Sequence, residues 1–183
     1  MGKIKPVTLT KTGGSGILIR AAEPQDATGV LKIMKQVVKE KYFTIHEPGE
    51  FHETQKSYSE KILKFKRAPG KLFLVEEINN EIAGFVNFNN WDTRKTRHTG
   101  FLSIFLLKKY RGIGLGRALM SELISWAKKN PLIKKMSLAV FENNRNAIAL
   151  YKKMGFKIEG SCPKDIKIGN KFYSSIFMYI FTP

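Results

Sequence analysis

The chain has 183 residues, 43% of them hydrophobic and 11% aromatic, which is typical of a folded globular domain and excludes a disordered chain. It contains no run of about 18 apolar residues that would cross a membrane, and no apolar stretch follows its basic N-terminus as in a secretory signal. The single cysteine, Cys162, has no companion for an internal disulfide or a cysteine-ligated zinc site. These absences predict a cytoplasmic protein with no bound metal and no membrane partner.

The net charge of +17 is the unusual feature of the composition, with 32 Lys and Arg residues against 15 acidic ones. A field of this sign attracts nucleic acid, anionic surfaces and phosphorylated cofactors. Only 7 of the 32 are Arg, however, and the lysines are spread along the chain rather than clustered. The charge is therefore explained equally well by a polyanion-binding surface and by composition alone.

The first half of the chain begins with a polar segment that ends in Gly13 and Gly14. We expect a flexible basic tail over residues 1–15 and a single domain over residues 16–183. Apolar residues at helical spacing predict two helices after the first strand, separated by a loop that contains Pro48. These elements are a strand, a helix, a loop and a helix over residues 17–19, 24–42, 46–52 and 54–65.

The second half alternates strands with two further helices. Asn79 and Asn80 lie between two apolar runs and predict a hairpin turn. Strands are predicted over residues 72–75, 82–88, 99–107, 136–141, 156–160 and 172–181, and helices over residues 117–127 and 144–154. The order predicts an α/β fold of the α+β type, with about seven strands in a mixed central sheet and about four helices.

A glycine-rich turn, Arg111-Gly-Ile-Gly-Leu-Gly-Arg117, joins the fourth predicted strand to the third helix. Glycines allow tight turning and close approach of a ligand to the backbone, and the helix N-terminus supplies partial positive charge. Arg111 and Arg117 add fork-shaped cationic donors. The turn therefore predicts a diphosphate site. It lacks the third glycine of a dinucleotide fingerprint and the Gly-Lys-Ser/Thr of a nucleotide P-loop.

In the pattern R-x-x-G-x-G, from Arg111 to Gly116, the sequence resembles the Gcn5-related N-acetyltransferase (GNAT) family. The coenzyme A-binding motif of that family is Q/R-x-x-G-x-G/A after the fourth strand. A second match follows at the expected distance, where residues 144–156 fit the family's N-x-x-A-x-x-L-Y-x-x-x-G-F. The specific matches are confined to residues 104–156, although the predicted architecture resembles the family over most of the chain.

The resemblance implies the GNAT fold, in which the fourth and fifth strands splay apart, and it implies acetyl-CoA as cosubstrate. The pantetheine arm would pair with strand backbone in the gap, as a strand added to an edge. By the resemblance, the cofactor-binding residues are Ile104, Phe105, Leu106, Arg111, Gly112, Ile113, Gly114, Leu115, Gly116, Arg117, Asn144, Ala147 and Tyr151.

Roles in acetyl transfer also follow from the resemblance. The backbone N–H of Leu106 or a neighbour would polarise the thioester carbonyl. Tyr151 would protonate the leaving sulfur, since a phenol with a pKa near 10 is protonated at neutral pH; alternatively it packs in the core with Leu150. Asn144 would bind the pantetheine, although asparagine is also a common helix N-cap.

The general base is open, because residues 99–107 hold no Asp or Glu where several relatives carry a carboxylate. The candidates are Glu47 and Glu50, in the loop that overhangs the acceptor site in this fold, and His98 at the start of the strand. A path through water is the alternative. An α-amino group with a pKa near 8 needs less help than a lysine or polyamine amine near 10.

The leading hypothesis is an enzyme that acetylates a small amine (an amino acid, a polyamine or an amine antibiotic) by direct transfer in a ternary complex. The second keeps the enzyme and changes the acceptor to a protein N-terminus, a ribosomal protein or an aminoacyl-tRNA. The charge motivates this RNA-associated acceptor, but no RNA-binding motif supports it. A non-catalytic module ranks last. Homodimers are common in the family but have no signature here.

Overall fold

The structure is a computed structural model that describes residues 4–10 and 16–183. These residues form four α-helices and eight strands, with short 3-10 turns at Pro24–Asp26, Pro48–Glu50 and Lys108–Tyr110. The helices are α1 (Ala27–Glu40), α2 (Gln55–Arg67), α3 (Leu115–Lys129) and α4 (Arg145–Lys153). The strands are β1 (Val7–Thr10), β2 (Gly16–Ala21), β3 (Lys71–Ile78), β4 (Glu81–Asn90), β5 (Thr99–Leu106), β6 (Lys135–Phe141), β7 (Lys157–Ile168) and β8 (Lys171–Phe181).

All eight strands belong to one mixed sheet, in the order β1-β2-β3-β4-β5-β6-β8-β7. Neighbouring strands are antiparallel throughout, except for the parallel pair β5 and β6. The predicted α/β class with a mixed sheet and four helices is confirmed. No helix in the described part of the chain is long and apolar enough to cross a membrane.

Each face of the sheet carries a hydrophobic core, because side chains along the buried strands point alternately to opposite faces. Leu72 and Leu74 of β3 share a core with Leu119 of α3, and α4 belongs to the same side. Phe73 shares the other core with Val30 of α1 and with α2. We call these two sides the α3 face and the α1/α2 face.

The sheet has eight strands rather than the predicted seven, because β1 lies within the segment predicted to be a tail. Residues 7–10 pair antiparallel with β2, Val7 opposite Ile19. The alternation Val-Thr-Leu-Thr has the period and the residue types of a strand, but it is only four residues long. Of the rest of the predicted tail, residues 4–6 precede β1 without regular secondary structure, and residues 1–3 and 11–15 lie outside the described residues.

The C-terminal hairpin is longer than predicted. Strand β7 continues to Ile168 and turns at Gly169 and Asn170 into β8, where the sequence predicted a polar loop from residue 161 to 171. Most side chains of β7 are exposed on both faces. The alternation of apolar and polar residues that marks a half-buried strand is therefore missing, and backbone pairing with β8 holds the segment.

A buried carboxyl group, Glu76 of β3, lies on the α3 face beside Leu74. Its side chain is fully buried, and both carboxyl oxygens lack a hydrogen-bond partner among the described residues. Glu76 pairs with Ile19 of β2 on one side and with Gly84 of β4 on the other. One neighbour is therefore apolar and the other has no side chain, so neither can bind the carboxyl group through its side chain. Burial raises the pKa of Glu76 to about 8, because the charged form loses its hydration.

Replacing Glu76 with glutamine is expected to stabilise the protein in a pH-dependent way. The pKa of Glu76 is higher in the folded than in the unfolded chain, so folding stability is retained below the unfolded pKa and lost as the pH rises toward 8. Glu76→Gln should therefore match the wild type near pH 4.5 and exceed its unfolding free energy by about 2–4 kcal/mol near pH 9. Urea unfolding across this range measures the difference. Glu60→Gln, on the exposed face of α2, should change little at any pH; parallel profiles for Glu76→Gln and wild type would contradict the assignment.

Candidate functional site

Strands β5 and β6 separate after a short paired segment. Their parallel register covers only Thr99 to Phe101, which face Lys135 to Ser137. Beyond Phe101, β5 pairs only with β4, and β6 pairs only with β8. The splay that the resemblance implied is thus confirmed, and it lies between the fifth and sixth strands here because β1 precedes the predicted first strand.

The backbone of β5 presents polar groups to this gap at alternate residues. The N–H of Leu107 donates to the carbonyl of Ala83 on β4, at 2.9 Å. Because successive residues of a strand point their N–H and C=O to opposite sides, Leu106 and Ile104 face the gap and Phe105 faces β4. Of the three residues predicted to pair with a pantetheine arm, Ile104 therefore offers an open N–H and carbonyl and Leu106 an open N–H, because the Leu106 carbonyl accepts from Arg111. Phe105 uses its backbone groups in the sheet.

The glycine turn exposes a row of backbone donors. Gly112 and Gly114 have φ angles of 78° and 94°, which favour glycine, and a Cβ atom at either would meet open space. The first helical bond of α3 is donated by the N–H of Ala118 to the carbonyl of Gly114, at 3.1 Å. The N–H groups of residues 112–117 make no hydrogen bond to any described residue. Six consecutive free donors at a helix N-terminus fit a diphosphate.

The two arginines that flank the turn differ in their surroundings. The guanidinium of Arg111 donates to the carbonyl of Leu106, with Nε at 3.0 Å and Nη2 at 2.9 Å, and forms an ion pair with Glu40 at the end of α1. Burial opposes ionisation of Glu40, but hydrogen bonds from Arg111 and Gln36 outweigh it and lower the pKa of its carboxyl. Arg117 is exposed on the first turn of α3 and has no ion pair within the described residues.

Gly116 brings the turn, the strand and the fourth helix together. A Cβ atom at this position would lie 3.5 Å from Leu106 and 3.8 Å from Ile104 on β5, and 3.7 Å from Leu150 on α4. A larger side chain would push these elements apart. Close packing at Gly116 therefore places the free donors of the turn beside the open edge of β5 and the start of the Leu150-Tyr151 segment.

Tyr151 is 8% exposed on the inner side of α4, and its ring packs against Phe156 at 6.0 Å between centroids. Burial raises the pKa of its hydroxyl to about 12. The hydroxyl makes no hydrogen bond to a described residue. Asn144 acts as the N-cap of α4, accepting a bond from the N–H of Ala147 at 3.3 Å. Ala147 is partly buried against the α3-face core.

The predicted base candidates lie in solvent. Glu47 is exposed, pairs with Lys41 at 3.5 Å, and takes part with Glu50 in the cap of a 3-10 turn. His98 is exposed at the paired end of β5, roughly 26 Å along the strand from Leu106 at 3.3 Å per residue. The loop that carries Glu47 and Glu50 does reach across the gap, since its Phe43 contacts Phe141 of β6 with 6.2 Å between ring centroids.

An open strand edge beside a helix N-terminus with free donors agrees with the comparison to known families. Residues 33–156 match the sequence model of the acetyltransferase (GNAT) family. The chain belongs to the acetyltransferase (GNAT) family. It is accordingly an N-acetyltransferase.

Individual GNAT proteins are similar to the chain over most of its length. The L-amino acid N-acetyltransferase AaaT of Escherichia coli is 27% identical, over 90% of this chain and 97% of that protein. The crystal structure of a GNAT acetyltransferase from Streptococcus pneumoniae superposes with a TM-score of 0.86 at 31% identity, covering 91% of this chain and 99% of that one. The yncA structure from Salmonella typhimurium, solved with acetyl-CoA, shares the fold with a TM-score of 0.83 at 21% identity, over 91% and 94% of the two chains.

Sequence reasoning missed two features of this GNAT site. Glu40, the partner of Arg111, is 71 residues away along the chain and has no motif of its own. Asn87 is an amide at a buried position of β4, directly opposite Ser103 of β5. In the sequence, the sign that could have indicated Asn87 is an asparagine between Val86 and Phe88, in a run predicted to be a buried strand.

Removing the free guanidinium beside the glycine turn is expected to weaken coenzyme A binding. Arg117→Gln should lower the affinity about tenfold, because one charge-assisted hydrogen bond to phosphate is lost. Isothermal titration calorimetry with coenzyme A measures the change. Arg94→Gln removes the same charge from the exposed 91–98 loop and should leave the affinity within about twofold, since its charge is screened by solvent. Equal losses of coenzyme A affinity in the two variants would show that the net charge of the protein, and not the position of Arg117, determines the affinity.

Proposed function

We propose that the protein transfers the acetyl group of acetyl-CoA to the amine of a small molecule, such as an amino acid, a polyamine or an amine antibiotic, by direct transfer in a ternary complex. The observation that carries the proposal is the row of free N–H groups over residues 112–117 beside the open backbone of Ile104 and the free N–H of Leu106. A diphosphate on the turn would leave the attached pantetheine arm next to the gap. Thiol release from acetyl-CoA across amino acids, polyamines and aminoglycosides tests the activity; no release with any amine would contradict it.

The contact between Phe43 and Phe141 favours a small acceptor. It joins the loop after α1 to the far side of the gap, so that the α1/α2 face of the gap is bridged rather than open. A small amine fits such a confined entrance more easily than the surface of a folded macromolecule does. This argument supports the small-molecule class, and the exact acceptor is left to the screen.

The chemistry assigns separate tasks to the gap and to α4. The neutral amine attacks the thioester carbonyl, a C–N bond forms, the C–S bond breaks, and the proton released by nitrogen ends on the coenzyme A sulfur. The N–H of Leu106 points into the gap and would stabilise the charge that develops on the carbonyl oxygen. Because Glu47 and Glu50 are exposed to solvent, the amine proton could leave through water molecules rather than directly to a carboxylate.

The raised pKa of Tyr151 defines how it would act on the leaving sulfur. With a pKa of about 12 the hydroxyl stays protonated throughout the working range, as a donor must. A thiol has a pKa near 8.5, so full proton transfer from Tyr151 to a free thiolate would be uphill. We therefore assign Tyr151 a hydrogen bond to the sulfur as negative charge develops there, which lowers the barrier to C–S cleavage.

A macromolecular acceptor (a protein N-terminus, a ribosomal protein or an aminoacyl-tRNA) is the second candidate, favoured by the net charge of +17. Basic residues occupy the last turns of all four helices, at Lys39, Lys64, Lys66, Arg67, Lys128, Lys129, Lys152 and Lys153. Cations stabilise helix C-termini, so these eight of the 32 basic residues have a structural explanation, and they are dispersed over the fold. RNA binding that falls steeply with salt would favour this candidate.

Tyr151→Phe is expected to reduce kcat about a hundredfold and leave the KM for acetyl-CoA within a factor of two. The variant keeps the ring that packs on Phe156 and loses only the hydroxyl, so the change reports hydrogen bonding to the sulfur. Steady-state thiol release with the best acceptor of the screen measures both constants. Tyr173→Phe, in the C-terminal hairpin, serves as the control. Unchanged turnover in Tyr151→Phe would leave the enzyme class intact and remove Tyr151 from the reaction.

A further inference from the structure

The α1/α2 face of the sheet carries one polar pair where the strands separate. Along β4 and β5, Phe85 and Phe105 face each other under the helices, and the next pair on the same face is Asn87 opposite Ser103. Asn87 is only 8% exposed, yet its amide makes no hydrogen bond to any residue that the structure describes. Its amide atoms are not among the fully buried unpaired atoms of the described residues, so they reach solvent and are available for a ligand.

This polar pair opens onto the gap. Pairing between β5 and β6 ends at Phe101 and Ser137, so Ser103 is the first side chain on this face beyond the closed end. Ser103 is exposed, and so is Ala139, which follows Ser137 on the same face of β6. Asn87 and Ser103 therefore lie on the opposite face from α3 and α4, beside the open backbone of Ile104.

Aromatic rings close both ends of this space. At the closed end Phe101 of β5, 37% exposed, contacts Phe177 of β8 edge to face with 6.4 Å between centroids. At the other end Phe43 of the loop after α1, 43% exposed, contacts Phe141 of β6. The exposed parts of Phe101 and Phe43 offer apolar surface to whatever reaches Ser103.

None of the residues named above that line this space is a carboxylate. Two acidic residues of the adjoining loops have other partners: Glu47 pairs with Lys41, and Glu142 accepts a bond from the N–H of Ser174 at 2.7 Å. An ammonium group that left water for this space would have no counter-charge, whereas a neutral amine would lose little.

Neutral oxygens also suit the geometry of attack. A neutral amine has two N–H donors and one lone pair. If the Asn87 Oδ1 and Ser103 Oγ atoms accept the two N–H bonds, the lone pair is left for the thioester carbonyl. The α-amino group of an amino acid has a lower pKa than an alkyl amine near 10.4, so a larger fraction of it is neutral at pH 7.5. A site that accepts only the neutral amine therefore favours the α-amino class.

We propose that Asn87 and Ser103 bind the acceptor amine in its neutral form and that Phe43 and Phe101, which pack against Phe141 and Phe177, bind an apolar group next to it. The acceptor is then an α-amino compound with an apolar side chain, and polyamines are poor substrates. This inference rests on the proposed function and narrows its acceptor class.

The test compares L-methionine and L-phenylalanine with spermidine and cadaverine in the thiol-release assay at pH 7.5. Wild-type kcat/KM should be at least tenfold higher for the two amino acids than for the two polyamines. In Asn87→Asp, the preference for methionine over spermidine should fall at least tenfold, because the new carboxylate attracts the spermidine ammonium, can accept its proton, and repels the carboxylate of methionine. Asn170→Asp adds the same charge in the hairpin turn and should change neither value.

Phe43→Ala lies in an exposed loop and tests the inference independently of a buried substitution. It should raise the KM for methionine at least fivefold and leave the coenzyme A affinity unchanged. Equal or better turnover of spermidine by the wild type, or an unaltered KM in Phe43→Ala, would overturn the inference while leaving the acetyltransferase intact. Absence of turnover with every amine, in folded protein, would contradict the proposed function itself and this inference with it.

Discussion

The separation of β5 from β6 after Phe101 is the constraint on which the site depends. Three residues of parallel pairing join the two halves of the sheet, and from there each strand keeps a single partner. A strand edge inside a sheet normally exposes backbone groups that seek a partner. Here the edge is left open on both sides of the gap, so the fold itself creates a place for an extended ligand.

The glycine turn and α4 both pack beside the open edge of β5. Gly116 allows α3 to begin within van der Waals distance of Leu106 and Leu150, and the free N–H groups lie immediately before it. The ion pair between Arg111 and Glu40 adds a contact on the opposite side, between the start of the turn and the end of α1. Elements from both faces of the sheet thus meet at the last residues of β5.

Sequence patterns predicted the parts of the fold that depend on neighbouring residues alone, such as turns and a helix cap. The hairpin at Asn79 and Asn80, both with positive φ, and the glycine turn follow from residues that tolerate unusual backbone angles. The N-cap at Asn144 was one of two roles considered, and it is formed. The second half of β7, from residue 161 to 168, escaped prediction because its side chains are exposed on both faces. The Glu40–Arg111 pair and the facing of Asn87 and Ser103 depend on register and long-range packing, which no local pattern encodes.

The dispersal of lysines over the ends of all four helices has a consequence for encounter kinetics. A positive field without a single patch draws a polyphosphate cosubstrate toward the protein from every direction, and the glycine turn then selects its orientation. Such attraction acts on the association rate and is screened by salt over about 10 Å at 0.1 M ionic strength. Dissociation, in contrast, is governed by the short-range bonds at the turn. Ionic strength should accordingly change how fast the cosubstrate arrives far more than how long it stays.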